Sequence, residues 1–304
     1  MDRLLALSID LDALELYLGL YGLDARELSD AGRAAIPARA AERFGELCAA
    51  LGVKGTVFAV GKDLAQERGR RELRALFDAG HEIASHSFAH DYGLSRLSPE
   101  RIDADLARAE EAIAAVTGVR PVGFRAPGYT LSRRLLEILR ARGYAYDSSL
   151  LPSPPYYLAK AAVIGGLALV GKESRSILGD VRQLFQPREA HLERGLAELP
   201  VSVLPLLRVP YLGTLLATAP AAVSRALGRR LANDRLVVIE LHGVDLCDAT
   251  DGVPASLAAR QRDLRVPVAT KRARLEASLR ALLGGRRPMT LAEAARLCAT
   301  PAGG

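Results

Sequence analysis

Through its first 150 residues the chain alternates short apolar runs with longer amphipathic stretches, and that alternation constrains its fold more than any other feature. Leu4–Ile9 is a short apolar run that ends at Asp10 and Asp12. Thr56–Val60, His81–His86, Val122–Arg125 and Tyr144–Asp147 read as further strands. Between them, Ile36, Ala40, Phe44, Leu47 and Leu51 recur at helical spacing before Gly52, and residues 63–79 form a second helical stretch closed by Gly80. Ser98-Pro99 and Ser132 are helix starts. Strand–helix alternation of this kind implies parallel strands joined by right-handed crossovers. Arg235–Leu241 is the clearest buried strand, a helix is expected around 269–283, and Met289–Leu291 closes the pattern.

At 304 residues the chain suits one large α/β domain spanning 1–304. Its three cysteines, Cys48, Cys247 and Cys298, form no C-x-x-C pair, which argues against a disulfide framework and a thiolate zinc site. The net charge is +6, but Trp is absent and no nucleic-acid-binding motif accompanies the charge, so no nucleic-acid partner is expected. The N-terminal apolar run is too short for a signal peptide, so a cytoplasmic location is expected.

Four features with chemical potential fall at the C-terminal ends of the expected strands, where α/β sheets and barrels place their sites. In Asp10-Leu11-Asp12, extended backbone puts both carboxylates on one side, which is costly without a cation or proton between them. An isolated pair of this kind is more often a helix cap or a turn. His86 and His90 are four apart, a spacing that on a helical turn lets two imidazoles reach one metal. Asp12, His86 and His90 make an O/N/N set with a coordination position left open. The remaining two are Arg125-Ala126-Pro127-Gly128-Tyr129 and His242, each ordinary when taken alone.

Together these motifs resemble the NodB-homology polysaccharide deacetylases, carbohydrate esterase family four. Residues 86–90 resemble the family's H-[ST]-x-x-H motif, and Ser8–Asp12 its first motif in a D-x-D form. Arg125-Ala126-Pro127 resembles the third motif and Leu241-His242 the fifth. The resemblance implies a distorted (β/α) barrel of about seven parallel strands and metal-dependent hydrolysis of an N-acyl group, acetyl or formyl, from an amino sugar or glycan. It places the metal on Asp12, His86 and His90, with zinc expected and cobalt, nickel or manganese as alternatives. Asp10 becomes the general base, Arg125 its orienting partner and His242 the general acid, while Pro127, Gly128 and Tyr129 form the substrate and oxyanion turn. The family's fourth motif is altered here to Tyr146-Asp147-Ser148-Ser149, so Asp147 is either a support for His242 or a structural strand-end residue.

Residues 151–232 break the rhythm and read as a basic, apolar helical insertion, with ten Lys and Arg against five Asp and Glu. Tyr156–Val170 and Val209–Ser224 are apolar and flanked by Lys160, Lys172, Arg175, Arg208, Arg225, Arg229 and Arg230. Such a segment suits either peripheral contact with the inner leaflet, where a lipid-linked amino sugar would be the substrate, or a layer closing the barrel or a homo-oligomer interface. A cyclic-amide hydrolase and a non-catalytic membrane- or glycan-binding protein are the competing functional readings.

Overall fold

Strand β1 (Leu4–Asp10) is buried at all seven positions because strands flank both of its edges and packed layers cover both faces. The computed structural model describes residues 2–169 and 177–299. After β1 come β2 (Thr56–Ala59), β3 (Glu82–Ser85), β4 (Gly123–Phe124), β5 (Tyr146–Asp147), β6 (His191–Glu193), β7 (Leu196–Glu198), β8 (Leu236–His242) and β9 (Arg287–Met289). They join one nine-stranded sheet in the order β6-β7-β5-β4-β3-β2-β1-β8. Every pairing is parallel except β6 with β7. The lower half of β1 pairs with β9 along Leu4–Ala6, and its upper half with β2 along Ser8–Asp10.

The sheet is a curled half-barrel surrounded by helices. Its edges approach one another beyond β7, where the Ser202 amide donates to the Val238 carbonyl and the Ser202 hydroxyl accepts from the Val238 amide. Among the described residues eight strands run parallel, close to the seven or so expected, and β7 is the one the sequence did not declare. It lies inside the segment read as an insertion and is only three residues long.

The helix starts follow side-chain chemistry. Ser98 caps Pro99–Thr117 by accepting from the Arg101 amide, and Ser132 caps Arg133–Ala141 by accepting from Leu135. The expected helix over 37–51 opens instead as a widened π turn, Ala35–Ala40, before the regular helix Ala41–Leu51. Pro37 supplies no amide hydrogen to that first turn. The stretch 63–79 splits at Gln66, whose extended backbone separates a 3-10 turn (Gly61–Ala65) from the helix Glu67–Asp78.

The segment 151–232 is also not uniform. Helices Gly213–Thr218 and Ala221–Gly228 lie against Val268–Leu283, with Leu216 and Ala217 in the main core, so this part is a layer closing the barrel. Helix Pro154–Leu169 differs: Leu158, Val163 and Leu169 are exposed. Lys172 and Arg175 lie outside the described residues. Among the described residues no helix is long and apolar enough to cross a membrane.

Candidate active site

Parallel strands bring their C-terminal ends to one edge, and this geometry gathers the polar residues. In the β1–β8 register Asp10 lies opposite His242 and Ser8 opposite Glu240. With a side-chain period of two, Ser8, Asp10, Glu240 and His242 share the inner face. Leu11 continues β1 by donating to the Phe58 carbonyl, so Asp12 follows Asp10 on the same side.

His86 leaves β3, its amide bonded to the Ala59 carbonyl. The expected helical turn over residues 86–90 does not form. Ser87 and His90 have φ of 65° and 51°, left-handed values that cost non-glycine residues roughly 1–3 kcal/mol each. Side chains hold the loop in this shape. Asp105 accepts from the Phe88 and Ala89 amides, and Ser87 Oγ accepts from the His90 amide. Both imidazoles then turn toward Asp12, with His86 Nε2 and His90 Nε2 each 3.1 Å from Asp12 Oδ1.

The chemistry of this trio suits a divalent cation. His86 Nδ1 lies 2.7 Å from the Arg125 carbonyl, which can only accept a hydrogen bond, so Nδ1 carries the proton and Nε2 presents a lone pair. Asp12 Oδ1 and His90 Nε2 are buried with no hydrogen-bond partner. Electron-rich atoms this close repel unless a cation or proton lies between them. Burial pushes the Asp12 carboxyl up, but His90 and His86 outweigh it and hold Asp12 well below the usual range. Two imidazole nitrogens and one carboxylate suit zinc and its neighbours in the first transition row.

Beside the trio is a second buried constellation. Arg125, fully buried, donates from Nη1 to Asp10 Oδ1 at 2.6 Å and to Ser8 Oγ at 3.1 Å. Its Nε and Nη2 donate to the carbonyl and hydroxyl of Ser148. Burial raises the Asp10 carboxyl, yet Arg125, with His86 and His242, leaves it below its ordinary value. Glu240 lies 3.8 Å from Arg125 and 3.6 Å from His242 Nε2, and accepts from the Tyr129 hydroxyl at 2.9 Å. Burial pushes Glu240 up to about 8; Arg125 and His242 pull it down, and neighbouring Asp10 raises it further. Burial depresses His242, but Glu240 and then Asp10 more than compensate, so His242 is raised to about 9. Ligand atoms of Asp10, Glu240 and His242 also lie within 4.8 Å of one another. The Arg125 guanidinium already supplies positive charge there, which disfavours a second cation.

Asp147 does not support His242. Its carboxylate accepts from the Ser149 hydroxyl at 2.5 Å and faces buried Glu198, on the other side of Arg125. Ser149 Oγ in turn accepts from the Ala126 amide at 2.7 Å, so Asp147 braces the loop that carries Pro127, Gly128 and Tyr129. In that turn Gly128 has φ 65°, and a Cβ would lie 2.7 Å from the Tyr92 ring, so both backbone and space require glycine. Pro127 has no amide hydrogen and the Tyr129 amide donates to Ala126, which leaves the Gly128 amide as the turn's remaining donor.

These residues line a cavity of about 350 Å³. Asp10, Asp12, His86 and His242 form one part of it, Tyr17, Tyr21, Tyr92, Tyr129 and Tyr156 others. Helix Pro154–Leu169 adds Ala159, Lys160, Val163 and Ile164. Sequence reasoning missed Glu240, although a lone acid two residues before His242 in an otherwise apolar strand was a usable signal. It also missed that the helix from the apolar segment forms a cavity wall.

A curled, mostly parallel sheet with this cluster at its carboxyl edge defines an α/β half-barrel with its polar cavity at the strand ends. The polysaccharide deacetylase family model matches residues 31–146. The chain is 30% identical over 165 residues to the peptidoglycan deacetylase of Helicobacter pylori, a match covering 52% of this chain and 53% of that protein. It is 37% identical over 79 residues to the peptidoglycan deacetylase-like protein FGM2 of Gibberella zeae, covering 26% and 23% respectively. The chain thus matches about half the length of the first relative and about a quarter of the second. In fold it is similar to a Mycobacterium smegmatis protein assigned to the polysaccharide deacetylases, with TM-score 0.63, 19% identity and coverage of 98% and 90%. Residues 31–146 are thus similar to the polysaccharide deacetylase family, and the fold of the chain is similar to that of the Mycobacterium smegmatis protein.

Proposed function

We propose that the protein is a metal-dependent amide hydrolase that removes an acetyl or formyl group from the nitrogen of an amino sugar, using the D-x-D arrangement of Asp10 and Asp12. The observation that carries this reading is the convergence of Asp12, His86 and His90 beside Asp10 and His242 at one end of the sheet. A divalent cation held by Asp12, His86 and His90, with zinc the best fit, would polarise the acyl carbonyl and acidify water.

The chain's own residues supply the remaining chemistry. Arg125 fixes one oxygen of Asp10, which leaves Oδ2 to take the proton of the attacking water. The Gly128 amide donates to the carbonyl oxygen as negative charge develops on it. As the new C–O bond forms and the C–N bond breaks, His242 gives its proton to the departing amine, yielding the free amino sugar and a carboxylic acid. The experiment is acid release from N-acetylated and N-formylated glucosamine oligomers by protein loaded with zinc, cobalt, nickel or manganese. No release with any of the four contradicts the reading.

Glu240 stabilises the imidazolium form of His242. The other charged or titratable groups acting on that ring are Asp10 at the end of β1, Asp12 just beyond it, Asp245 from the turn after β8, and Tyr129. Because His242 is raised, its acid form persists at neutral pH and disappears as pH rises through its pKa. Glu240→Gln removes the stabilising carboxylate, so the basic limb of the kcat/KM profile is expected to move down by about one pH unit or more. An unmoved basic limb contradicts this role.

A finer reading is that the sugar is lipid-linked and the enzyme works peripherally at the inner leaflet. Bare leucines support it. Leu206 and Leu207 are 95% and 75% exposed at the tip of a turn, and Arg208 ties that turn to the carbonyls on either side of exposed Phe185. Apolar tips with nearby cations suit a headgroup boundary. Co-sedimentation with anionic liposomes at low salt is expected and should be lost in the Leu206→Asp/Leu207→Asp double variant. Equal sedimentation of both proteins, or of neither, contradicts it.

A further inference from the structure

The cavity contains one ammonium group among its lining residues, that of Lys160 on helix Pro154–Leu169. Its Nζ donates to the Gly128 carbonyl at 3.1 Å and lies 5.9 Å from the centre of the Tyr156 ring. Among the described residues, no carboxylate oxygen comes within 4.0 Å of it. A lysine drawn from water into a pocket ordinarily meets a counter-charge, because the desolvated ammonium is costly alone. Here burial lowers Lys160 to about 8, with no carboxylate to offset it. Its own helix also contributes the aromatic and aliphatic side chains of Tyr156, Ala159, Val163 and Ile164 to the cavity lining.

We propose that Lys160 forms an anion subsite, so that the preferred substrate is an N-acylated amino sugar bearing an acidic substituent, either a carboxylate or a phosphate. The inference rests on the reading of this cavity as the hydrolase site. An arriving anion supplies the missing counter-charge and a charge-assisted hydrogen bond, while the ammonium keeps its bond to Gly128. A lysine acts as a point charge and accepts either anion geometry. Because the same amine touches the turn that carries the Gly128 amide, it couples recognition of the acidic group to placement of the acyl group. The aliphatic side chains beside it give the portion of substrate carrying the acid an apolar strip to lie against.

The test is calorimetric binding to the full chain of three matched sugars: N-acetylglucosamine, N-acetylglucosamine 1-phosphate and N-acetylmuramic acid. Wild-type protein is expected to bind at least one of the acidic sugars ten-fold or more tightly than the neutral one, and the tighter of the two identifies the acid. In Lys160→Ala and Lys160→Gln that ratio should fall to about one, and in Lys160→Arg it should persist. A wild-type ratio near one, a ratio that survives Lys160→Ala, or no binding of either acidic sugar would overturn the proposal. A lysine that only braced the Gly128 turn would weaken all three sugars together and leave the ratio unchanged, which also contradicts it. Turnover is measured separately. Failure to release acid from any acylated sugar defeats the hydrolase reading, whereas the binding ratio judges the subsite by itself.

Discussion

Replacing Asp10 by Asn is expected to lower kcat by a factor of roughly 10² to 10⁴, the range typical of losing a positioned general base. The substitution keeps the side chain's shape, so Arg125 can still donate to the remaining oxygen and the β1–β8 register is undisturbed. It removes the oxygen proposed to accept the proton of water. The proposed metal ligands are Asp12, His86 and His90, so the variant should still bind a cation, and its loss should appear in kcat more than in KM. Steady-state kinetics beside a metal titration checks both halves. A variant retaining more than a tenth of wild-type kcat excludes Asp10 as the base.

His86→Ala should reduce cation affinity at least 100-fold, read by competition with a chromophoric chelator. The change deletes one of three donor atoms and also the hydrogen bond to the Arg125 carbonyl, which fixes the ring's orientation. Losing an orienting partner alone typically costs 10–100-fold in affinity, so removing the donor together with it exceeds that range. His191, at the far edge of the sheet on β6, gives the control, and His191→Ala should bind the cation as wild type does. If His86→Ala binds the ion normally, the trio is not the metal site.

Much of this arrangement was legible in the sequence, for reasons that differ by residue. β1, β2 and β8 declare themselves because strands buried on both faces read as near-continuous apolar runs. β6 and β7 do not, because each is three residues long and β6 leaves Leu192 exposed. Spacing pointed His86 and His90 toward one ion but misjudged the backbone between them. The turn there is set by Asp105, a residue on a different element whose side chain satisfies two loop amides. Local spacing carries no trace of such a contact.

Asp147 shows the same limit. Its position at a strand end left two roles open, and only the fold shows it bonded to Ser149 and facing Glu198. Glu240 was hidden by its setting in the most apolar strand, where the eye reads hydrophobicity and passes over one acid. Composition described 151–232 as basic and apolar. It could not separate the helices that pack into the core from the one that walls the cavity.

The measurement that bears most directly on the central claim is anomalous diffraction at the zinc edge from crystals of the zinc-loaded protein. The account predicts one peak coordinated by Asp12, His86 and His90, about 2.0–2.1 Å from each histidine nitrogen. A peak held by Asp10, Glu240 and His242 instead, or no peak on any of these side chains, would contradict it.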